Sequence, residues 1–88
     1  MIYKTKKLNM NYIVCMLNSI ARVIGGVYRI SVTMYQDSIG GVITLNNHES
    51  LLLSLTGDRL CVVMSDEFPQ QDYVIEIIQT WCPVVEDR

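Results

Sequence analysis

The sequence predicts an α+β fold: an antiparallel four-stranded meander flanked by an N-terminal and a C-terminal helix, in the order α-β-β-β-β-α. Three observations carry this expectation. Apolar residues recur at helical spacing from Met10 to Ile24 and again from Tyr73 to Trp81. Between those segments the spacing switches to period two or to short continuous apolar runs. Turn-forming residues separate the runs.

The first helix is expected over Met10 to Ile24, where Ile13, Leu17, Ile20, Ala21 and Ile24 share one stripe. Asn9 or Asn11 can cap its start, and Gly25-Gly26 supplies a left-handed stop. Tyr12, Cys15 and Met16 widen the stripe until the first half is apolar nearly all round. A helix of that kind is buried on more than one side, so a dimer contact is expected there.

From Val27 to Tyr35 residues alternate. Tyr28, Ile30, Val32 and Met34 face one way, and Arg29, Ser31 and Thr33 face the other and can stay in water. Gln36-Asp37-Ser38 reads as a turn, with Gly40-Gly41 adding backbone freedom. Val42 to Leu45 reads as a second strand, and Asn46-Asn47 as another turn. Leu51 to Leu55 is ambiguous. The alternation of Leu51, Leu53 and Leu55, with Gly57-Asp58 closing a hairpin, favours a strand. His48, Leu51, Leu52 and Leu55 also fit a helix capped by Asn47 and stopped by Gly57. Leu60 to Met64 is a firmer strand. The last helix opens near Pro69, with Asp66, Glu67 and Asp72 at its positive end, and Pro83 ends it. Tyr73, Val74, Ile77, Ile78 and Trp81 form its apolar face. The expected core is Leu17, Ile20, Ile24, Tyr28, Ile30, Val32, Leu53, Val62, Met64, Val74, Ile77, Ile78 and Trp81.

At 88 residues the chain is one domain, expected over 10–88, with residues 1–9 as a flexible basic leader. Half of the residues are hydrophobic and 18% are charged, which excludes a disordered tail. No apolar run reaches the ~20 residues of a membrane span. Seven basic residues against nine acidic ones give a net charge of −2 and a pI near 5.1. That balance argues against a nucleic-acid binder, which needs a clustered basic surface. A small domain this apolar has more hydrophobic side chains than one core hides, so a homodimer or a protein partner is expected.

Cys15, Cys61 and Cys82 make an odd number, with no C-x-x-C pair, and each lies in an apolar run. They read as buried thiols in a reducing cytoplasm. Lys4, Lys6 and Lys7 ahead of Tyr12–Leu17 resemble a signal peptide faintly, but Asn9, Asn11 and Asn18 interrupt the apolar stretch. Val14 stands where a lipoprotein needs a small residue before Cys15. Met10 offers a second start, which would make the leader dispensable.

Candidate chemistry is sparse, so no enzymatic activity, metal or cofactor is expected. His48-Glu49-Ser50 holds the letters of a catalytic set, but sequence neighbours do not converge on one point. Asp66-Glu67 is explained by the helix dipole, and Glu86-Asp87 by a solvated terminus. Gly25-Gly26 and Gly40-Gly41 lack the strand–glycine–helix order and lysine of a phosphate loop, so both read as turn chemistry. Met10, Met16, Met34 and Met64 fill irregular gaps or serve an adaptable binding surface.

Met16-Leu17-Asn18-Ser19-Ile20-Ala21-Arg22-Val23-Ile24-Gly25, Leu60-Cys61-Val62-Val63-Met64, Phe68-Pro69 and the helix from Tyr73 to Trp81 carry a family likeness. In layout over residues 10–82 the chain resembles class I type III secretion chaperones. Those are small acidic dimers that open with a helix, continue with an antiparallel sheet and follow a strand with a proline-led helix. This chain is shorter and lacks the counterpart of their final strands and helix. The resemblance implies non-catalytic binding of an extended segment of a secreted protein.

Two other functions fit the same residues: a small nucleic-acid-associated or phage-type regulator, and a small enzyme whose site is assembled only by the fold. The expected contact surface combines Tyr12, Cys15 and Met16 with an exposed sheet edge, since a short open meander leaves edges unpaired. Such an edge accepts an extended peptide by strand addition.

Overall fold

Alternating and continuous apolar runs produce strands wherever glycine or asparagine lets the chain reverse, and four such strands follow one another along the middle of the chain. The computed structural model describes residues 2–4, 10–82 and 84–86. Strand β1 (Ile2–Lys4) precedes helix α1 (Met10–Val23). The meander is β2 (Val27–Met34), β3 (Ser38–Leu45), β4 (Ser50–Thr56) and β5 (Arg59–Met64), followed by helix α2 (Gln71–Trp81) and strand β6 (Val84–Glu86). The α-β-β-β-β-α order is that of the sequence, with a short strand added at each end. All pairings are antiparallel, and the sheet runs β2-β3-β4-β5-β1-β6. No helix among the described residues is long and apolar enough to cross a membrane.

Register decides which side chains meet the helices. Gly41 pairs with Leu53, which pairs with Val62, and Ile43 pairs with Leu51, which pairs with Met64. These residues therefore share one face, and α1 packs on it over β2 and β3. Ile13, Met16, Leu17 and Ile20 of α1 and Val74 and Ile78 of α2 complete a continuous core with Ile43, Leu45, Leu51, Leu53, Leu55, Leu60 and Val62.

The turns are specified locally. Gly57 (φ 63°) takes the first central position of the two-residue β4–β5 turn, as a type II′ turn requires. In the β3–β4 turn the N–H of His48 donates to the Leu45 carbonyl at 3.0 Å, and Leu45 N–H donates to Glu49 O at 2.9 Å. His48 itself sits at φ 71°, the left-handed position that closes a three-residue hairpin loop. Gly26 (φ 76°) supplies the turn out of α1. Gln70 joins the two helix ends: its Nε2 donates to the Val23 carbonyl at 3.2 Å.

Leu51 to Leu55 is strand, the favoured of its two readings, because Gly57 closes a hairpin and the three alternating leucines meet the core. Other expectations need correction. Gly40-Gly41 lies inside β3 and not in a turn. Ile2–Lys4, within the expected leader, pairs with β5 and β6; residues 5–9 lie outside the described residues. Tyr28 is 71% exposed, because the register shifts between Val27 and Arg29 and the bulge turns its side chain off the core. Tyr73, at the margin of the α2 stripe, is exposed as well.

Candidate functional site

β2 is one of the two terminal strands of the sheet, the other being β6, so among the described residues one side of its backbone faces no strand. Which groups lie on that side follows from one hydrogen bond. The Tyr35 N–H donates to the Ser38 carbonyl at 2.8 Å, so residue 35 points its backbone groups toward β3. Antiparallel pairs alternate, and the register is unbroken from Arg29 to Met34. Arg29, Ser31 and Thr33 therefore bond β3, and the N–H and C=O groups of Ile30, Val32 and Met34 point outward.

The side chains of those same three residues lie on the helix-bearing face, since Ile30 pairs with Ile43, Val32 with Gly41 and Met34 with Ile39. Val32 reaches the core, but Ile30 is 38% and Met34 60% exposed because α1 stops short of the sheet margin. Val14 of α1 is two residues, about 200° of helix turn, from Tyr12. Tyr12 touches α2 through Trp81, so Val14 lies on the opposite flank, above β2. Among the described residues nine large apolar or aromatic side chains are exposed, and five of them (Val14, Tyr28, Ile30, Met34 and Tyr35) lie on or beside β2.

Natural sheets blunt such an edge with lysine, proline, a bulge or a cover. Here the bulge and Arg29 guard only the first residues of β2, and the stretch from Ile30 to Met34 carries no charge and no proline. The sheet face away from the helices is a weaker candidate. Val42, Leu52 and Val63 form an apolar row across it, ringed by Ser31, Thr44, Ser50 and Ser54, but its backbone is already paired.

The structure separates the three residues expected to form the contact surface. Met16 is 0% exposed and packs in the core. Tyr12 meets Trp81 edge-on, with ring centroids 5.5 Å apart and planes at 86°. Cys15 is exposed. Of the three, Tyr12 and Cys15 stay at the surface and Met16 alone is buried. Met16 is not at the surface, and the apolar edge that the sequence reading left unlocated is β2.

The other singled-out residues do not converge. His48 is an exposed turn residue, and the Glu49 N–H donates to Asn47 Oδ1 at 3.1 Å within the same loop. Among the described residues no group of three or more His, Cys, Asp or Glu is placed to hold a metal ion. Burial pushes the Cys82 thiol above its ordinary value. A depression of about 260 Å³ beside the β2–β3 turn, lined by Met34, Tyr35, Asp37 and Gly57, is open and smaller than the ~300–1,000 Å³ of small-molecule sites. No family model matches the chain, and neither the curated proteins nor the solved structures contain a match to it.

Proposed function

We propose that this chain is a small non-catalytic protein-binding module, a chaperone or adaptor that takes an extended segment of a partner protein on the β2 edge. The observation that supports this reading is the coincidence on one strand of outward-pointing backbone groups and exposed apolar side chains at Ile30 and Met34. An incoming strand satisfies the backbone of Ile30, Val32 and Met34 and buries the side chains beside them. Its residues must alternate: apolar where they lie beside Ile30 and Met34, and polar on the opposite face beside Ser31, Thr33 and Arg29. Three free thiols fit work in a reducing cytoplasm.

The test is selection from a random peptide library. The wild-type protein should enrich extended peptides with alternating apolar residues. Val32→Pro removes one outward N–H, at a strand edge where proline is tolerated, and should enrich none while remaining folded. Equal enrichment by the two proteins would contradict the reading.

A further inference from the structure

Arg29 is the only charged residue of β2, and it stands beside any strand laid along that edge. We propose that the β2 edge takes an antiparallel segment in which three alternating apolar residues are followed directly by an acidic one, and that Arg29 selects the acid. This rests on the reading that the β2 edge accepts an extended strand, and it names the class of strand.

The guanidinium is available for such a contact. Arg29 is exposed and makes no ion pair among the described residues. Across the sheet it pairs with Thr44, which pairs with Ser50, so its row on the open face offers hydroxyls and no carboxylate. The next residues of β2 on that face are Ser31 and Thr33, also uncharged.

Its place on the ladder brings side chains together. The backbone groups of Arg29 bond β3, so toward an incoming antiparallel strand residue 29 is a non-hydrogen-bonded site. Facing residues at such sites have Cα atoms about 4.5 Å apart and the closer side chains. A Glu or Asp there meets the guanidinium directly, and opposite charges across a strand pair favour the pairing.

The spacing follows from direction. Antiparallel pairing is the more stable per residue and is the pairing throughout this sheet. An antiparallel segment passes Met34 first, then Val32, then Ile30, and its next residue faces Arg29. From N- to C-terminus it therefore reads apolar–x–apolar–x–apolar–acid. The other end of the edge has the opposite sign, because the first charged residue beyond Met34 is the exposed Asp37. An acid at the start of the segment approaches Asp37 instead. The net charge of −2 favours no acidic peptide, so a gain from an acid at one position alone reports Arg29.

Two capped peptides of one composition test this: Lys-Ile-Thr-Val-Thr-Ile-Glu and Glu-Ile-Thr-Val-Thr-Ile-Lys. Binding is followed by fluorescence polarisation of the labelled peptides at low salt. The Lys-first peptide should bind about two- to fivefold more tightly, and the gap should close in roughly 1 M salt. Arg29→Gln should abolish the preference and Arg29→Glu should reverse it. Equal binding of the two peptides, tighter binding of the Glu-first peptide, or a preference that survives Arg29→Gln would overturn the selection by Arg29. If that binding is still lost in Val32→Pro, the edge reading stands. Binding of neither peptide, or binding that Val32→Pro leaves unchanged, would overturn both.

Discussion

Leu17 fills the space in which residue 41 would carry a side chain. A Cβ built on Gly41 would lie 2.8 Å from Leu17 Cδ1 and 2.9 Å from Ile13 Cγ2. The glycine lets α1 descend onto β3, and that descent brings Ile13 and Leu17 into the core. Gly41→Ala should force the helix away and cost about 1–3 kcal/mol, the range for overpacked cores. Chemical denaturation checks this. Gly25→Ala, with open space around the new methyl group, should cost much less.

Met16 and Tyr12 should respond differently to substitution. Met16→Ala empties a fully buried site and should cost about 2–5 kcal/mol. Met16→Asp strands a charge there and should unfold the chain. Tyr12 contributes an edge-on contact with Trp81, so a double-mutant cycle on that pair should return a coupling of about 0.5–1.5 kcal/mol. Equal and mild losses at both sites would show that Met16 lies at the surface.

His48 holds a left-handed backbone conformation that costs most side-chain-bearing residues about 1–2 kcal/mol. Glycine adopts it freely, at an entropy cost in the unfolded chain of about 0.5–1 kcal/mol. His48→Gly should therefore raise the melting temperature by a few degrees, and His48→Val should lower it. Both follow from thermal melts. A stabilising valine would contradict the turn geometry.

Burial raises the Cys82 thiol above its ordinary value of 9.0. The folded chain then keeps a proton that the unfolded chain releases as pH rises beyond about 9. The stability contributed by the neutral thiol is complete below that pH and falls above it. Cys82→Ala should show a shallower loss of stability above about pH 9 than the unmodified protein. At neutral pH a thiol reagent should modify exposed Cys15 rapidly and Cys82 only on unfolding.

Most of the fold was legible because each element carried its own period. Leu17, Ile20 and Ile24 mark α1, and the alternating leucines of β4 mark a strand once Gly57 closes its hairpin. The illegible parts depend on tertiary context. The bulge between Val27 and Arg29 leaves no trace in the alternation, so Tyr28 reads as core although it faces solvent. Ile2–Lys4 is too short to show a period and is strand only because β5 and β6 flank it. Gly40-Gly41 reads as a turn, whereas the second glycine is an adaptation to the approach of Leu17. At the candidate site, sequence indicated an exposed sheet edge but not which one. Met16 read as surface because most of the core residues that bury it are remote in sequence.

Amide hydrogen exchange at Ile30, Val32 and Met34 tests the β2 edge most directly as the place where this protein binds others. In dilute protein these three N–H groups should exchange freely, while those of Ser31 and Thr33, bonded to β3, stay protected. On addition of a library-selected peptide, all three should become protected together, with little change on the open sheet face around Leu52 and Val63. Protection that appears around Leu52 and Val63 while Ile30, Val32 and Met34 go on exchanging would contradict the assignment.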